Sequence, residues 1–393
     1  MIKNISNFSR LSILFLVYLS TLYGFTNHVI LLTVPIIILN LNKLKITSNT
    51  EISFLIILMI SFVSIGNNLH YTSVSGEMLG IPYIPLILLS FFIAQFFNEK
   101  VMKYLLVLIA LEIAVAFIEY TLGITSIFKG NPNYAEFSGQ ALYYRKVAGL
   151  SDSSSVLSYK ALIGLFIVHF SNLRANHKKI LYAVMVAGVV FSFNRTVIIS
   201  ALLFLLFVNF AYIKSFSKKP LVLMSILFAL VVSVIFVFPL ASEYLMTQLS
   251  RGDASRGVDL SSRSYIWFEY WQLIKESPLF GSGSYKVFVT IPVTGYEGHP
   301  FHAHNSVLML LATQGIIIST LYFILIAINV TKRNFIYIAS IFIYSMAQYG
   351  VFWGISFLDV MLFYFLFDPL FKIQKGRMRA NNTTVNSSVE RLS

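Results

Sequence analysis

The chain has 393 residues, 57% of them hydrophobic and 11% charged, with a mean hydropathy of +0.77. A soluble domain carries roughly 25% charged residues, so a single water-facing globule is excluded. The absence of cysteine excludes disulfides and thiolate metal sites. The net charge of +13 takes its meaning from where the cations fall along the chain.

A helix needs about 20 apolar residues to cross the hydrocarbon core. Apolar runs predict an all-α integral membrane protein with about 12 transmembrane helices, at 11–25, 28–42, 52–66, 80–98, 101–122, 155–173, 179–194, 196–213, 220–241, 305–329, 334–351 and 354–371. The first run is too long for the apolar core of a cleavable signal peptide and lacks a convincing small-residue cleavage site, so it reads as a span. With the amino end inside, Lys3 and Arg10 are followed by inner connections holding Lys43 and Lys45, Lys100 and Lys103, and Arg174, Lys178 and Lys179. Lys214, Lys218 and Lys219 come next, then Lys332 and Arg333, and the tail adds Lys372, Lys375, Arg377, Arg379 and Arg391. These are 19 of the 29 basic residues, and they occupy every second connection. Cations stay preferentially on the cytoplasmic side, so the charge is mainly a topology signal and both termini are expected inside.

Two outer connections are long, 123–154 and 242–304, and loops of that length are commonly functional. The chain thus divides into helices one to nine over 1–241, a structured outer loop over 242–304, helices ten to twelve over 305–371, and a cytoplasmic tail over 372–393. Within the larger loop, Ile266, Trp267, Tyr270, Trp271 and Ile274 recur at helical spacing from Arg263 to Glu276. This predicts an amphipathic helix lying on the outer leaflet, ended by Pro278, Gly281 and Gly283.

Outside the spans, or at their outer ends, lie Arg145, Lys146, Arg195, Arg251, Arg256, Arg263, Lys275 and Lys286, with His299, His302 and His304. Arginines kept outside oppose the usual bias. Their planar fork is suited to phosphate, so a cluster of them at the membrane surface fits a lipid pyrophosphate. The competing reading, favoured for Arg251 and Arg256, pairs them with Asp253, Asp259, Glu269 and Glu276 as loop salt bridges. Arg195 lies between two apolar runs with almost no loop, where a charge is a functional hypothesis by default, snorkelling being the alternative. His304 precedes the tenth span and suits proton exchange near neutral pH, while Asn305 or Ser306 is placed to cap that helix. The spacing of His299, His302 and His304 is not diagnostic of zinc, and no metal is expected. Glu112 and Asp359, inside spans five and twelve, read as hydrogen-bonded structural groups rather than a proton or ion path.

Three segments carry a family resemblance: Ser192-Phe-Asn-Arg-Thr196; Arg263-Ser-Tyr-Ile-Trp267 through Pro278-Leu-Phe-Gly-Ser-Gly283; and His304-Asn-Ser-Val-Leu308 with Gly315 downstream. In order, spacing and side of the membrane they resemble the Ser-Arg, Arg…Trp…Pro-x-x-Gly-x-Gly and His-Asn-x-x-Leu…Gly patterns of the O-antigen ligase and polymerase superfamily. The resemblance covers about residues 190–330. Arg145 to Ser158 is only vaguely similar to another family region, because Ser-Asp-Ser-Ser-Ser replaces its Pro-Asn. The resemblance implies a GT-C-like, metal-independent, inverting glycosyltransferase that needs no cofactor and acts on undecaprenyl-pyrophosphate-linked oligosaccharides at the periplasmic face of the inner membrane. It implies catalytic roles for His304, Arg263 and Arg195, with Asn305 supporting His304; Asn305, Arg145, Arg256 and His302 are the candidate substrate contacts, and the distribution of charge gives no reason to expect a nucleic-acid partner. It leaves room for a separate chain-length regulator. Polymerase is the first reading, on the Phe- and Tyr-rich chain and compact loops; ligase is the second, and a flippase or transporter the third.

Overall fold

The computed structural model describes residues 5–44, 48–75, 84–128, 146–209, 263–283, 287–290, 300–348 and 350–368. Twelve α-helices lie among them: α1 (Asn7–Leu19), α2 (Val34–Ile38), α3 (Ser48–Ser75), α4 (Ile87–Phe96), α5 (Glu99–Leu122), α6 (Ser154–Phe170), α7 (Ala175–Phe191), α8 (Arg195–Val208), α9 (Arg263–Glu276), α10 (Ser306–Asn329), α11 (Phe335–Ser345) and α12 (Phe357–Phe367). The expected ninth span, Arg145, Arg256, His299 and the tail lie outside the described residues.

By length and composition three helices can cross a membrane: Thr50–His70 within α3, α5 and α10. Helix α5 shows why. It buries Leu105, Ile109, Ile113 and Ala116 against its neighbours, yet exposes Val107, Leu111, Phe117, Ile118 and Leu122 on the other side. A helix apolar all round is stable only where its outer face meets lipid. The shorter apolar helices pack around these three, and α12 is buried from Phe357 to Leu366, at the centre of the bundle.

The run 28–42 departs from the expected continuous span. It forms a 3-10 helix over Asn27–Thr33, one and a half turns of α2, and a further 3-10 turn over Leu41–Lys43. Pro35 has no N–H to offer the preceding turn, and the chain before it uses the tighter i to i+3 pattern. The twelve residues 27–38 reach roughly 22 Å, short of the ~30 Å hydrocarbon core.

Side-chain ties sort the helix ends into two sets. Asn329 reaches Ser53 at 2.8 Å and Ser64 reaches Gln314 at 2.8 Å, so α3 and α10 are antiparallel. Tyr159 at the start of α6 stacks on Phe357 at the start of α12 and lies edge-on to Tyr344 at the end of α11. At the opposite end Phe166, Phe204, Tyr337 and Phe365 form one aromatic cluster from α6, α8, α11 and α12. Asn334 closes that end by donating to Phe365 O at 3.1 Å. The amino ends of α6, α8, α10 and α12 therefore share one end of the bundle, the direction alternation that the basic connections imply.

Asp359 holds the structural role expected of it. Ser356 caps α12 through Asp359 N at 3.0 Å, and the carboxylate accepts from Phe352 N at 2.8 Å, Trp353 N at 3.2 Å and Ser356 Oγ at 2.9 Å. Ser356 thus caps the helix and donates to Asp359, whose carboxylate ties the turn at 352–353 to the first turn of α12.

Candidate functional site

Helices α8 and α10 begin in the same way. Phe193 and His304 both have φ 48, a left-handed backbone uncommon outside glycine, and each is followed by an asparagine that caps the helix. Asn194 Oδ1 accepts from Val197 N at 3.3 Å, and its Nδ2 donates to Ser155 Oγ at 3.1 Å on α6. Asn305 Oδ1 accepts from both Val307 N at 2.9 Å and Leu308 N at 3.1 Å. Each reversal of the chain brings one side chain to the open end of a helix: Arg195 as the first residue of α8, and His304 just ahead of α10. Helix amino ends carry partial positive charge, which favours anions there.

Arg263 opens α9. One turn on, and on the same face, Trp267 donates its indole N–H to Ala303 O at 2.8 Å, which ties α9 beside His304. His302 Nδ1 accepts from His304 N at 3.2 Å, and the two imidazoles lie 3.8 Å apart. Beneath them Val289 and Phe301 exchange backbone hydrogen bonds of 2.9 and 2.8 Å. Tyr270 donates to Val287 O, and burial pushes its hydroxyl well above the usual tyrosine range, so it stays a donor. Solvent is kept from Arg195 Nη2, Arg263 Nε and His304 Nδ1.

The face of α9 expected on the lipid surface is turned inward instead. Ile266, Tyr270 and Ile274 are buried with Val289, Ala303, Met309 and Ala312 in a small second core. Tyr265, Phe268 and Trp271 are its exposed apolar residues, beside exposed Lys275 and Glu276. Apolar periodicity marks a face that leaves water, and here protein rather than lipid covers it.

After α9 the turn 277–283 is spliced into α10. In an uninterrupted helix Ala312 O and Thr313 O would accept from Ile316 N and Ile317 N. Here they accept from Ser282 N and Gly283 N, both at 2.8 Å. Ile316 N and Ile317 N turn to Pro278 O at 2.9 Å and Leu279 O at 3.3 Å. The exchange leaves these backbone groups satisfied around a non-helical Gly315 with φ 70, ψ −175. A Cβ on Gly281 would lie 2.6 Å from Gln314 N, and one on Gly315 would strike Leu279, so both positions require glycine. Asn67 of α3 also donates to Phe280 O, beside a cavity of about 610 Å³ lined by Val63, Asn67, His70, Ser277 and Phe280.

Residues 180–323 match the family model described as O-antigen ligase. The match supports, over that segment, the resemblance to the O-antigen polymerase and ligase superfamily. It supports an O-antigen ligase- or polymerase-type function in general, glycosyltransferase-like and acting on glycans. Arg195, Arg263, His302, His304, Asn305 and the spliced turn all fall inside the O-antigen ligase segment, whereas α1 to α6 lie outside it. No curated protein and no solved structure matches the chain.

Of the residues marked in the sequence, the structure puts His302, His304 and Asn305 together at the head of α10, ties α9, which Arg263 opens, beside them through Trp267, and puts Arg195 at the same end of the bundle. Lys160 is the residue that sequence reasoning misses. It is fully buried in α6 and pairs with the equally buried Glu112 of α5 at 2.5 Å. The signal is present in the sequence: one lysine and one glutamate, each well inside an apolar span.

Proposed function

We propose that the chain is an O-antigen polymerase of the periplasmic face of the inner membrane. It would cross the bilayer about twelve times with both termini in the cytoplasm, in a GT-C-like arrangement, the second crossing made by the whole broken segment 27–43 rather than by one straight helix. The supporting observation is the bond from Trp267, one turn along α9 from Arg263, to Ala303 beside His304 at a capped helix end, on the side of the bundle where Arg195 opens α8.

On this reading the donor is a glycan on undecaprenyl pyrophosphate and the acceptor is a lipid-linked repeat unit. Arg195 and Arg263 hold the pyrophosphate and stabilise the charge that grows on it as the sugar–phosphate bond breaks. His304 orients the acceptor hydroxyl and takes its proton as that oxygen attacks the anomeric carbon from the face opposite the phosphate. The configuration inverts and undecaprenyl pyrophosphate departs. Asn305 fixes the helix end that presents His304, and His302 lies against the same imidazole. Arg145 and Arg256 are assigned to the extended glycan, and a chain-length regulator would be a separate partner.

The second reading is a ligase that delivers the glycan to a lipid A core, favoured by the description of the matched family. Deleting the gene separates the two. Surface glycans of a single repeat support the polymerase, and a wholly unsubstituted core supports the ligase. In the complemented strain, Arg263→Ala and His304→Ala should each reduce glycan output by about 100-fold or more at equal protein level. Normal output from either variant would remove the role given to that residue.

A further inference from the structure

The membrane-buried acids outside the matched segment form a clamp. Both oxygens of Glu112 are engaged: Oε2 by Lys160 Nζ and the Tyr18 hydroxyl, Oε1 by the Ser151 hydroxyl. Lys160 also reaches Thr21 Oγ1 at 3.1 Å and lies 4.7 Å from the centre of the Tyr18 ring. Two turns further along α5, Glu119 accepts from Ile127 N at 2.9 Å and Gly149 N at 2.7 Å. Two carboxylates on one helix thus hold one short segment, residues 147–151.

Elsewhere that segment is held by the buried side chain of Val147 and by backbone hydrogen bonds. Ala148 N donates to Thr125 O at 2.9 Å, and Tyr23 N donates to Leu150 O at 2.9 Å. Gly149, at φ +60, sits so close to α5 that a Cβ would come within 3.0 Å of Glu112 Cγ. The far side of the segment leads to the site. Val147 N donates to Phe191 O at 3.3 Å, the last residue of α7 and two residues before the left-handed Phe193. Ser155, four residues beyond Ser151, receives Asn194 Nδ2.

We infer that Glu112 and Glu119 are positioning residues that clamp segment 147–151 and, through Phe191 and Asn194, fix the amino end of α8 that carries Arg195. An apolar pair of similar volume packs a bundle at least as well as a buried ion pair. What it lacks is the free carboxylate oxygen that Ser151 engages. The importance given to Arg195 rests on the proposed function; the clamp itself does not.

The cysteine-free chain permits a direct test. Leu122→Cys and Ile199→Cys place spin labels at two exposed positions, at the end of α5 and near the start of α8, in the full-length protein in lipid nanodiscs. The clamp predicts a single narrow distance distribution that widens about twofold with Ser151→Ala, with Glu119→Gln and with Glu112→Gln/Lys160→Met. Ser151→Thr restores it by returning the hydroxyl. Ser151→Ala leaves the ion pair whole and serves where the charge variants fail to fold. Glycan output per folded molecule should fall about tenfold in Ser151→Ala and return in Ser151→Thr. An unchanged distribution in both Ser151→Ala and Glu119→Gln overturns the inference. A widened distribution with unchanged output upholds the clamp and instead removes Arg195 from the reaction.

Discussion

At φ 48 the imidazole of His304 leaves the backbone in a direction that a right-handed residue at the same place would not give it. Histidine and asparagine tolerate this region better than most residues, and bulky or β-branched side chains tolerate it worst. His304→Asn should therefore keep the chain reversal, with thermal stability within about 0.5 kcal/mol, while glycan output falls at least ~100-fold for want of a proton acceptor. Thermal unfolding of the purified protein beside glycan gels from cells reads both quantities. Asn305→Ala is the complementary change. It removes the acceptor shared by Val307 N and Leu308 N and should cost about 1 kcal/mol, with partial loss of output as the helix end frays. Gly315→Ala meets strain and a backbone clash together, so a loss of ~1–3 kcal/mol is expected.

Between elements, the Glu112–Lys160 pair makes a sharper demand than any single cap. Lys160→Met leaves a carboxylate without its charge partner in a site of zero exposure, which should cost about 3–5 kcal/mol, and adding Glu112→Gln should recover most of it. A double-mutant cycle on unfolding midpoints measures that coupling. The same pair shows what could be read ahead of the structure. Apolar runs and basic connections give the directions of α3, α5 and α10, because lipid and water impose those patterns locally. The family resemblance marks Arg263 and His304 for the proposed site, because each stands at an element end with its own chemical signature. The partner of Lys160 lies 48 residues away, and the splice at Gly315 joins a turn to a helix more than 30 residues on. Such pairings depend on how the helices pack, which no window of sequence carries. The outward turn expected of the α9 apolar face differs for the same reason: periodicity gives the face, and only packing says what covers it.

For the molecule as a whole, the directions of the described helices agree with one sidedness, and the proposed site depends on it. A reporter fused near residue 285 should be active only outside the cytoplasm, whereas cytoplasmic activity there would remove both the topology and the mechanism. The spliced turn adds a mechanical property to this layout. Four backbone hydrogen bonds bind the end of α9 to the middle of α10, and the Trp267 indole binds its start. Arg263 and His304 thus stand on two elements that are tied together near both ends of α9. Arg195 is mounted separately, on α8. On the proposed function, an opening that admits a longer glycan would take place along the seam between these two mountings, and the width of that seam, more than the chemistry on either side, would set how large a chain the protein releases.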